Sequence, residues 1–359
     1  MAHNQPIPLE RLEDHSTSSL AIGVDVGATK IASALVAADG RVLAQCQQPT
    51  AAQNGPAPVL DRIANQIEDL VSAASSSHER SIPAPHLLGV GIGTPGQVNP
   101  QTGVVRNAVN LGWERVELVA EIRRRMSSDL PVWLQKDANA SALGEYYFGA
   151  ARNYQDFVYL GIGSGLGAGV LSGGRLVTGS NWNAAELGHL SLDPQGLPCN
   201  CGLRGCAETV ISGPGLLAVV QRRLSLADQE TNLVSGNIDP HNVVAAARAG
   251  DELALASLAE VGSYLGRIMA ACTAVLNPAL FVLGGGLGLA AYEWLAPAAL
   301  EELKRRVLAT SYQSVRIAPS KLESSAVGAA GLVWYYKERG MSFESKGGDA
   351  EDHSIQSSL

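Results

Sequence analysis

The chain has few cysteines, no excess of positive charge and no leader of the export type, and each shortage removes a class of function. Five cysteines in 359 residues are too few for a disulfide-built scaffold. A formal net charge of −8 argues against a general nucleic-acid or anionic-membrane surface, so neither partner is expected. The opening "MAHNQPIPLERLEDHSTSS" has no basic stretch followed by an apolar run, so no secretory signal is visible and a cytoplasmic address is expected. One apolar run, "IMAACTAVLNPALFVLGGGLGLAAY", has the length to span a bilayer. Asn277-Pro278 and a triple glycine interrupt it, which fits a buried helix, a turn and a buried strand better than a continuous span. The phosphate-loop spacing G-x-x-x-x-G-K is also missing.

What is present is apolar and periodic. At 46% hydrophobic the chain can bury a large core, and its length favours two packed domains. The acidic ends, residues 1–19 and 341–359, are expected to be disordered tails. Between them, "LAIGVDVG" and "IASALVAADGRVLA" read as strands, "VLDRIANQIEDLVSAA" as a helix with Leu60, Ile63, Ile67, Leu70 and Val71 on one face, and "LLGVGIG" as a further strand. "VELVAEIRRRM" reads as a helix and "PVWLQ" as a strand, and this alternation predicts an α/β layer structure. The opening plan then recurs: "FVYLGIG", "GAGVLSGG" and "RLVTG" repeat strand, turn, strand, turn, strand. Laying Gly174-Arg175 on Gly40-Arg41 without gaps puts Gly161 on Gly27. The expected organisation is a smaller domain over 20–140, completed by a C-terminal helix at 323–340, and a larger domain over 141–322, facing one another across a cleft.

Two glycine turns follow buried strands, "DVGATK" (25–30) and "GIGSGLGAG" (161–169). Such turns let consecutive backbone N–H groups form a concavity for an anion such as phosphate. Asp25 beside Gly27, Thr29 and Lys30 offers a carboxylate for a hydrated magnesium ion, with a hydroxyl and a cation for phosphate oxygens. The alternative is a plain hairpin turn with polar residues. "GSGLGA" matches a dinucleotide fingerprint on paper, with Glu186 near the acidic offset, but a strand hairpin follows it where that fingerprint requires a helix. A third cluster, "GGGLG" (284–288), could lie against a flat base or simply end a strand.

Asp137, in "LQKDANASALGE", falls between a strand and a helix, where a carboxylate can take a hydroxyl proton or merely cap the helix. Cys199, Cys201 and Cys206 stand within eight residues of one another, and His189 lies upstream. Four N and S donors suit a tetrahedral zinc ion, and a closed set of four is structural rather than catalytic. Cys46 and Cys272 lie in apolar surroundings and read as core packing, and the same reading applies to His78, His86 and His241, which have no ligand partners at useful spacing.

The ordered set "GVDVGATK", "GTPGQVNPQTGVVRNAVNLGW", "DANASALGE", "GSGLGAG", "AELGH" and "CNCGLRGCAE" resembles the ROK family of sugar kinases, above all its bacterial glucokinases, over about residues 20–335. The resemblance implies the actin-like, hexokinase-type (ribonuclease H-like) fold, two α/β domains closing over a hexose and ATP. Position by position, it implies Asp137 as the catalytic base and Gly96, Asn110, Glu186, His189 and Glu208 around the sugar. Asp25, Gly27, Thr29 and Lys30 match the first phosphate motif, Gly163, Ser164 and Gly165 the second, and Gly284, Gly285 and Gly286 the nucleotide end. It further implies structural Zn2+ on His189, Cys199, Cys201 and Cys206, holding Glu186 and Glu208 in place, Mg2+ carried with ATP, and a dimer or tetramer. Glucose is the expected substrate, with N-acetylmannosamine, N-acetylglucosamine or another hexose as alternatives. A non-catalytic sugar-binding or regulatory protein is the alternative of another class. Regulators of the family carry an N-terminal winged helix, for which the residues before Asp25 are too few. Two departures stand out. Ala28 replaces a common glycine, and Lys136 stands where the family usually has Asn, a cation expected to leave Asp137 a weaker base.

Overall fold

Alternation along the strands decides the layout. The computed structural model describes residues 19–76, 86–226, 231, 233 and 238–341. The two expected tails lie outside these residues except for Ser19 and Met341, and His78 lies outside them too. In β1 (Ser19–Val26), Leu20, Ile22, Val24 and Val26 are buried in one core, while Ala21 belongs to another. Side chains on a strand alternate faces, so Ala21, Gly23 and Asp25 share the second, inner face. β2 (Lys30–Ala37) repeats the division, with Ile31 and Leu35 on the outer side and Ala32, Ala34 and Val36 on the inner side.

β1 and β2 pair antiparallel with each other, and β2 with β3 (Val42–Pro49). β4 (His86–Thr94) and β8 (Val132–Lys136) extend the sheet in parallel, giving the order β3-β2-β1-β4-β8. The helices α1 (Pro56–Ser76) and α2 (Leu118–Arg125) contribute Ile63, Ile67 and Ile122 to its outer core. Within α1, Leu60, Ile63, Ile67 and Leu70 are buried, while Val71 is only half-buried. A small sheet of β5 (Gln97–Asn99), β6 (Val104–Ala108) and β7 (Trp113–Val116) was not anticipated. β7 takes Val116 from the expected start of α2.

The second sheet has the same plan. β9 (Phe157–Ile162), β10 (Leu166–Ser172) and β11 (Arg175–Leu176) form the antiparallel part, and β12 (Leu280–Gly284) and β13 (Arg316–Pro319) the parallel part, in the order β11-β10-β9-β12-β13. Pairing corrects the gapless alignment. The first hairpin closes at Val26↔Ile31 and the second at Ile162↔Leu166, so the second turn is one residue shorter and Gly161 falls on Asp25, not on Gly27. α4 (Gly213–Leu226), α5 (Pro240–Arg248), α6 (Glu252–Leu276) and α8 (Tyr292–Lys304) build the outer core of this sheet. The short α7 (Gly286–Ala290) and α9 (Ala309–Ser314) complete it. The apolar run that might have spanned a membrane is divided among α6, β12 and α7, and no helix among the described residues is long and apolar enough to cross one.

The inner faces are joined by α3 (Asp137–Tyr147) and α10 (Ser325–Glu338). Their residues share one core with Phe157 and Val282 of the second sheet and Ala21 and Ala34 of the first. Contact with α10 is backbone to backbone. A Cβ on Gly23 would sit 1.9 Å from Ala326 O, one on Gly91 2.1 Å from Ala329 O, and one on Gly144 2.3 Å from the Gly328 Cα. Glu145, fully buried near the end of α3, accepts from the Ser320 hydroxyl and the Lys321 N–H, which fastens that helix to the segment after β13.

Candidate active site

β8 runs into α3 without a loop, which leaves Asp137 as the first residue of the helix, exposed at its start. Its Oδ1 accepts from the Ala138 N–H at 2.7 Å. That is the neighbouring residue rather than a cap bond further along, so capping is not what the side chain does. Surrounding protein behind it and the Asp25 carboxylate nearby push its pKa up to about 6, because both disfavour the charged form. The Lys136 cation pulls the other way and is outweighed. Lys136 thus acts in the expected direction, lowering the Asp137 pKa, and the net shift is upward because burial and the Asp25 carboxylate outweigh it.

Asp25 ends the inner face of β1, opposite Gly93, whose missing side chain leaves room for both acids. A Cβ there would lie 3.5 Å from the Asp137 Cα and 3.9 Å from Asp25 Oδ1. Burial raises the Asp25 pKa, while a hydrogen bond from the Ser325 hydroxyl and the charge of Lys30 lower it. Two carboxylates with raised pKa values side by side make a site that gains from a cation. In the turn that follows, Gly27 N–H bonds Lys30 O at 2.9 Å, Thr29 and Lys30 are exposed, and Lys30 Nζ donates to Gln47 Oε1 at 3.2 Å.

Lys136 does not stay within the first half. Its Nζ crosses to the second half, donating to Glu186 Oε1 at 2.7 Å and to Ala184 O at 3.2 Å. The loop it reaches holds Trp182 and Ala185 at φ values of 62° and 64°, a left-handed conformation that is costly for both.

The four donor atoms of His189, Cys199, Cys201 and Cys206 lie within 4.8 Å of one another. Cys201 Sγ and Cys206 Sγ are 3.6 Å apart, and Cys199 Sγ is 3.7 Å from His189 Nδ1. A tetrahedral ion with metal–sulfur bonds of about 2.3 Å needs donor separations of roughly 3.8 Å, so the set fits one. Burial pushes the Cys199 thiol up to about 12, so a bound cation is what would hold it as thiolate. Glu208 accepts from Cys199 Sγ at 3.1 Å and lies 3.7 Å from His189 Nδ1. With Nδ1 turned into this group, Nε2 is the imidazole nitrogen left for another partner.

The turn 163–165 joins these pieces. A Cβ on Gly165 would lie 3.0 Å from Glu208 Oε2, Gly163 O accepts from Gly213 N–H at 2.8 Å, and Gly161 pairs with Gly284. Gly285, at φ 77°, leads into α7 so close to β9 that a Cβ would meet Ile162 O at 2.4 Å. The sequence profile of the ROK family matches residues 21–336. The chain belongs to the ROK family. The glucokinase of Thermotoga maritima is 34% identical over 327 residues, 89% of this chain and 97% of its own. A ROK family glucokinase from Streptomyces griseus, solved in complex with glucose and AMPPNP, superposes with a TM-score of 0.72 at 30% identity, covering 87% of this chain and 98% of that one. A ROK family transcriptional regulator, a homolog of the E. coli MLC protein, gives a TM-score of 0.77 at 27% identity, covering 88% and 78% respectively. The architecture of this ROK protein is the actin-like, hexokinase-type α/β fold.

Of the anticipated residues, Asp25 and Asp137 meet beside Gly93, and Gly165 meets Glu208. Gly96, at φ 100°, turns two residues beyond Thr94, which pairs with Lys136, and packs on Ala108. Asn110 is exposed in a 3-10 turn between β6 and β7. Gly286 is exposed at the start of α7. Two participants went unnoticed in the sequence. Ser325 bonds Asp25 from 300 positions away, and its only local signal is a serine pair opening the last helix. Ala184 acts through its carbonyl, which no side-chain pattern announces.

Proposed function

We propose that this ROK protein is an ATP-dependent hexose kinase that phosphorylates glucose at its 6-hydroxyl, with residues 20–140 plus 323–340 and residues 141–322 as the two units that close on the substrates. The observation that carries the reading is the Asp137 carboxylate, exposed at the start of α3 and set beside Asp25 across Gly93, where burial and the neighbouring acid raise its pKa to about 6. A base so tuned can take a proton from an alcohol while staying deprotonated near pH 7.

In this reading the 6-oxygen forms its bond to the γ-phosphorus as the bond to the ADP oxygen breaks, and the hydroxyl proton passes to Asp137. Gly96, Asn110, Glu186, His189 and Glu208 orient the sugar. Thr29, Lys30 and the N–H groups around Gly27 take phosphate oxygens from one side. Gly163, Ser164 and Gly165 take them from the other, and Gly284 to Gly286 receive the nucleotide end. Asp25 would hold, through water, the magnesium ion of the nucleotide, which when bound neutralises phosphate charge. His189, Cys199, Cys201 and Cys206 would hold zinc, which fixes the segment carrying Glu186 and Glu208. Reduced thiols and an ATP supply both belong to the cytoplasm.

The test is ATP consumption with glucose, mannose, fructose, N-acetylglucosamine and N-acetylmannosamine, for the parent and Asp137→Ala. Glucose should give the highest kcat/KM, and Asp137→Ala should lower kcat by about 10²–10⁴-fold with glucose binding kept. A higher kcat/KM on another sugar replaces the substrate. Tight glucose binding with no turnover of any sugar replaces the kinase with a sugar sensor.

A further inference from the structure

Only 11% of the Lys136 side chain is exposed, and its ammonium is placed by two acceptors in one short loop, Ala184 O and Glu186 Oε1. Between those acceptors stands Ala185, at φ 64°. The cation therefore grips both ends of a turn whose backbone would otherwise relax. An ammonium has three N–H groups, and among the described residues these two acceptors are the ones it meets, which leaves one donor. Glu186 is 45% exposed and keeps Oε2 for a partner. A charged donor and a charged acceptor thus stand side by side where the two halves meet, the acceptor half-exposed.

We propose that Lys136 is a specificity-determining residue: together with Glu186 it reads a single neutral hydroxyl of the sugar, and it rejects a sugar carrying an ammonium group or only hydrogen at that carbon. The inference rests on the reading of the cleft as a hexose site. A hydroxyl accepts and donates at once, so it satisfies the Lys136 N–H and Glu186 Oε2 together. An ammonium can only donate, and it brings a second positive charge against Lys136. Hydrogen leaves both charged groups unmatched.

The experiment is calorimetric binding at pH 6 of glucose, its 2-, 3- and 4-deoxy forms and the corresponding amino-deoxy forms, to the full chain and to Lys136→Met. At one ring position the amino form should bind the parent on the order of 10- to 100-fold more weakly than glucose. At that position alone, Lys136→Met should improve the amino form by about tenfold, since the ammonium then faces Glu186 without a competitor. If Lys136→Met does not fold, Lys136→Gln removes the charge, keeps amide donors for Ala184 O and Glu186, and should relieve the amino form equally. An unchanged penalty in the variant at every position overturns the role of Lys136. A parent that binds none of these sugars overturns the hexose site itself, and the inference with it.

Discussion

The hairpin that opens the first sheet turns over residues 27–30 and the hairpin that opens the second turns over 163–165, and the inner-face position before each turn is Asp25 in one and Gly161 in the other. Strand order is shared; charge is not. The first half supplies Asp25, Asp137 and Lys30, while the second presents glycine backbone and a His-Cys set able to hold a metal ion, which has no counterpart among the described residues of the first. At the two hairpins the duplicated plan is divided by chemistry, the first ending on a carboxylate and the second on glycine backbone, while the acids of the second half, Glu186 and Glu208, stand outside its hairpin.

The largest effect should come from the metal set, since structural zinc is worth on the order of 10 kcal/mol of apparent binding free energy. Dialysis against a chelator should raise hydrogen exchange across 187–209 and leave β1 and β4 protected. Equal loosening of both halves would break the asymmetry. Next, Asp25→Asn should lower kcat by about 10²–10³-fold, whereas Gly161→Asp, which builds the missing acid, should raise the KM for ATP about tenfold with glucose binding unchanged. If Gly161→Ala raises it equally, the effect is steric pressure on Tyr159, whose Cε1 would lie 3.1 Å from the new Cβ.

The smallest concerns pH. The folded pKa of Asp137, about 6, lies above its ordinary 3.8, so the folded state binds the proton more tightly than the unfolded one. The stability this contributes is fully present below pH 3.8 and lost as pH rises through about 6. Asp137→Asn should therefore melt about 2–4 °C above the parent at pH 7.5, modest because cleft water screens the carboxylate. The gain should shrink as pH falls toward 5. In the parent, kcat/KM should climb with pH through the same value of about 6. A variant less stable than the parent at pH 7.5 would mean that the carboxylate is held by partners rather than strained.

Long periodic elements were legible in the sequence because each carries its own signal. The helix read in "VLDRIANQIEDLVSAA" lies wholly inside α1. β5, β6 and β7 span only three to five residues each, too short for alternation to rise above chance, and β13 is likewise four residues long. The repeated plan was visible, but its register was not: turn length fixes which residues pair, and a gapless overlay assumes equal turns. Of the site, Asp137 and the cysteine cluster could be located because their spacing is local. The direction of Lys136 could not, since strand alternation says only which face a side chain leaves from, and its partners belong to the other half.

The glycine contacts of α10 also set an order of construction. Gly23 and Gly91 admit the backbone of α10, so the inner face of β1 and β4 has its cover at residues 325–338, with all of 95–324 made in between. A nascent chain halted before Ser325 leaves Ala21, Ala32, Ala34 and Val36 without the part of their core that α10 supplies. The face synthesised first is the one covered last.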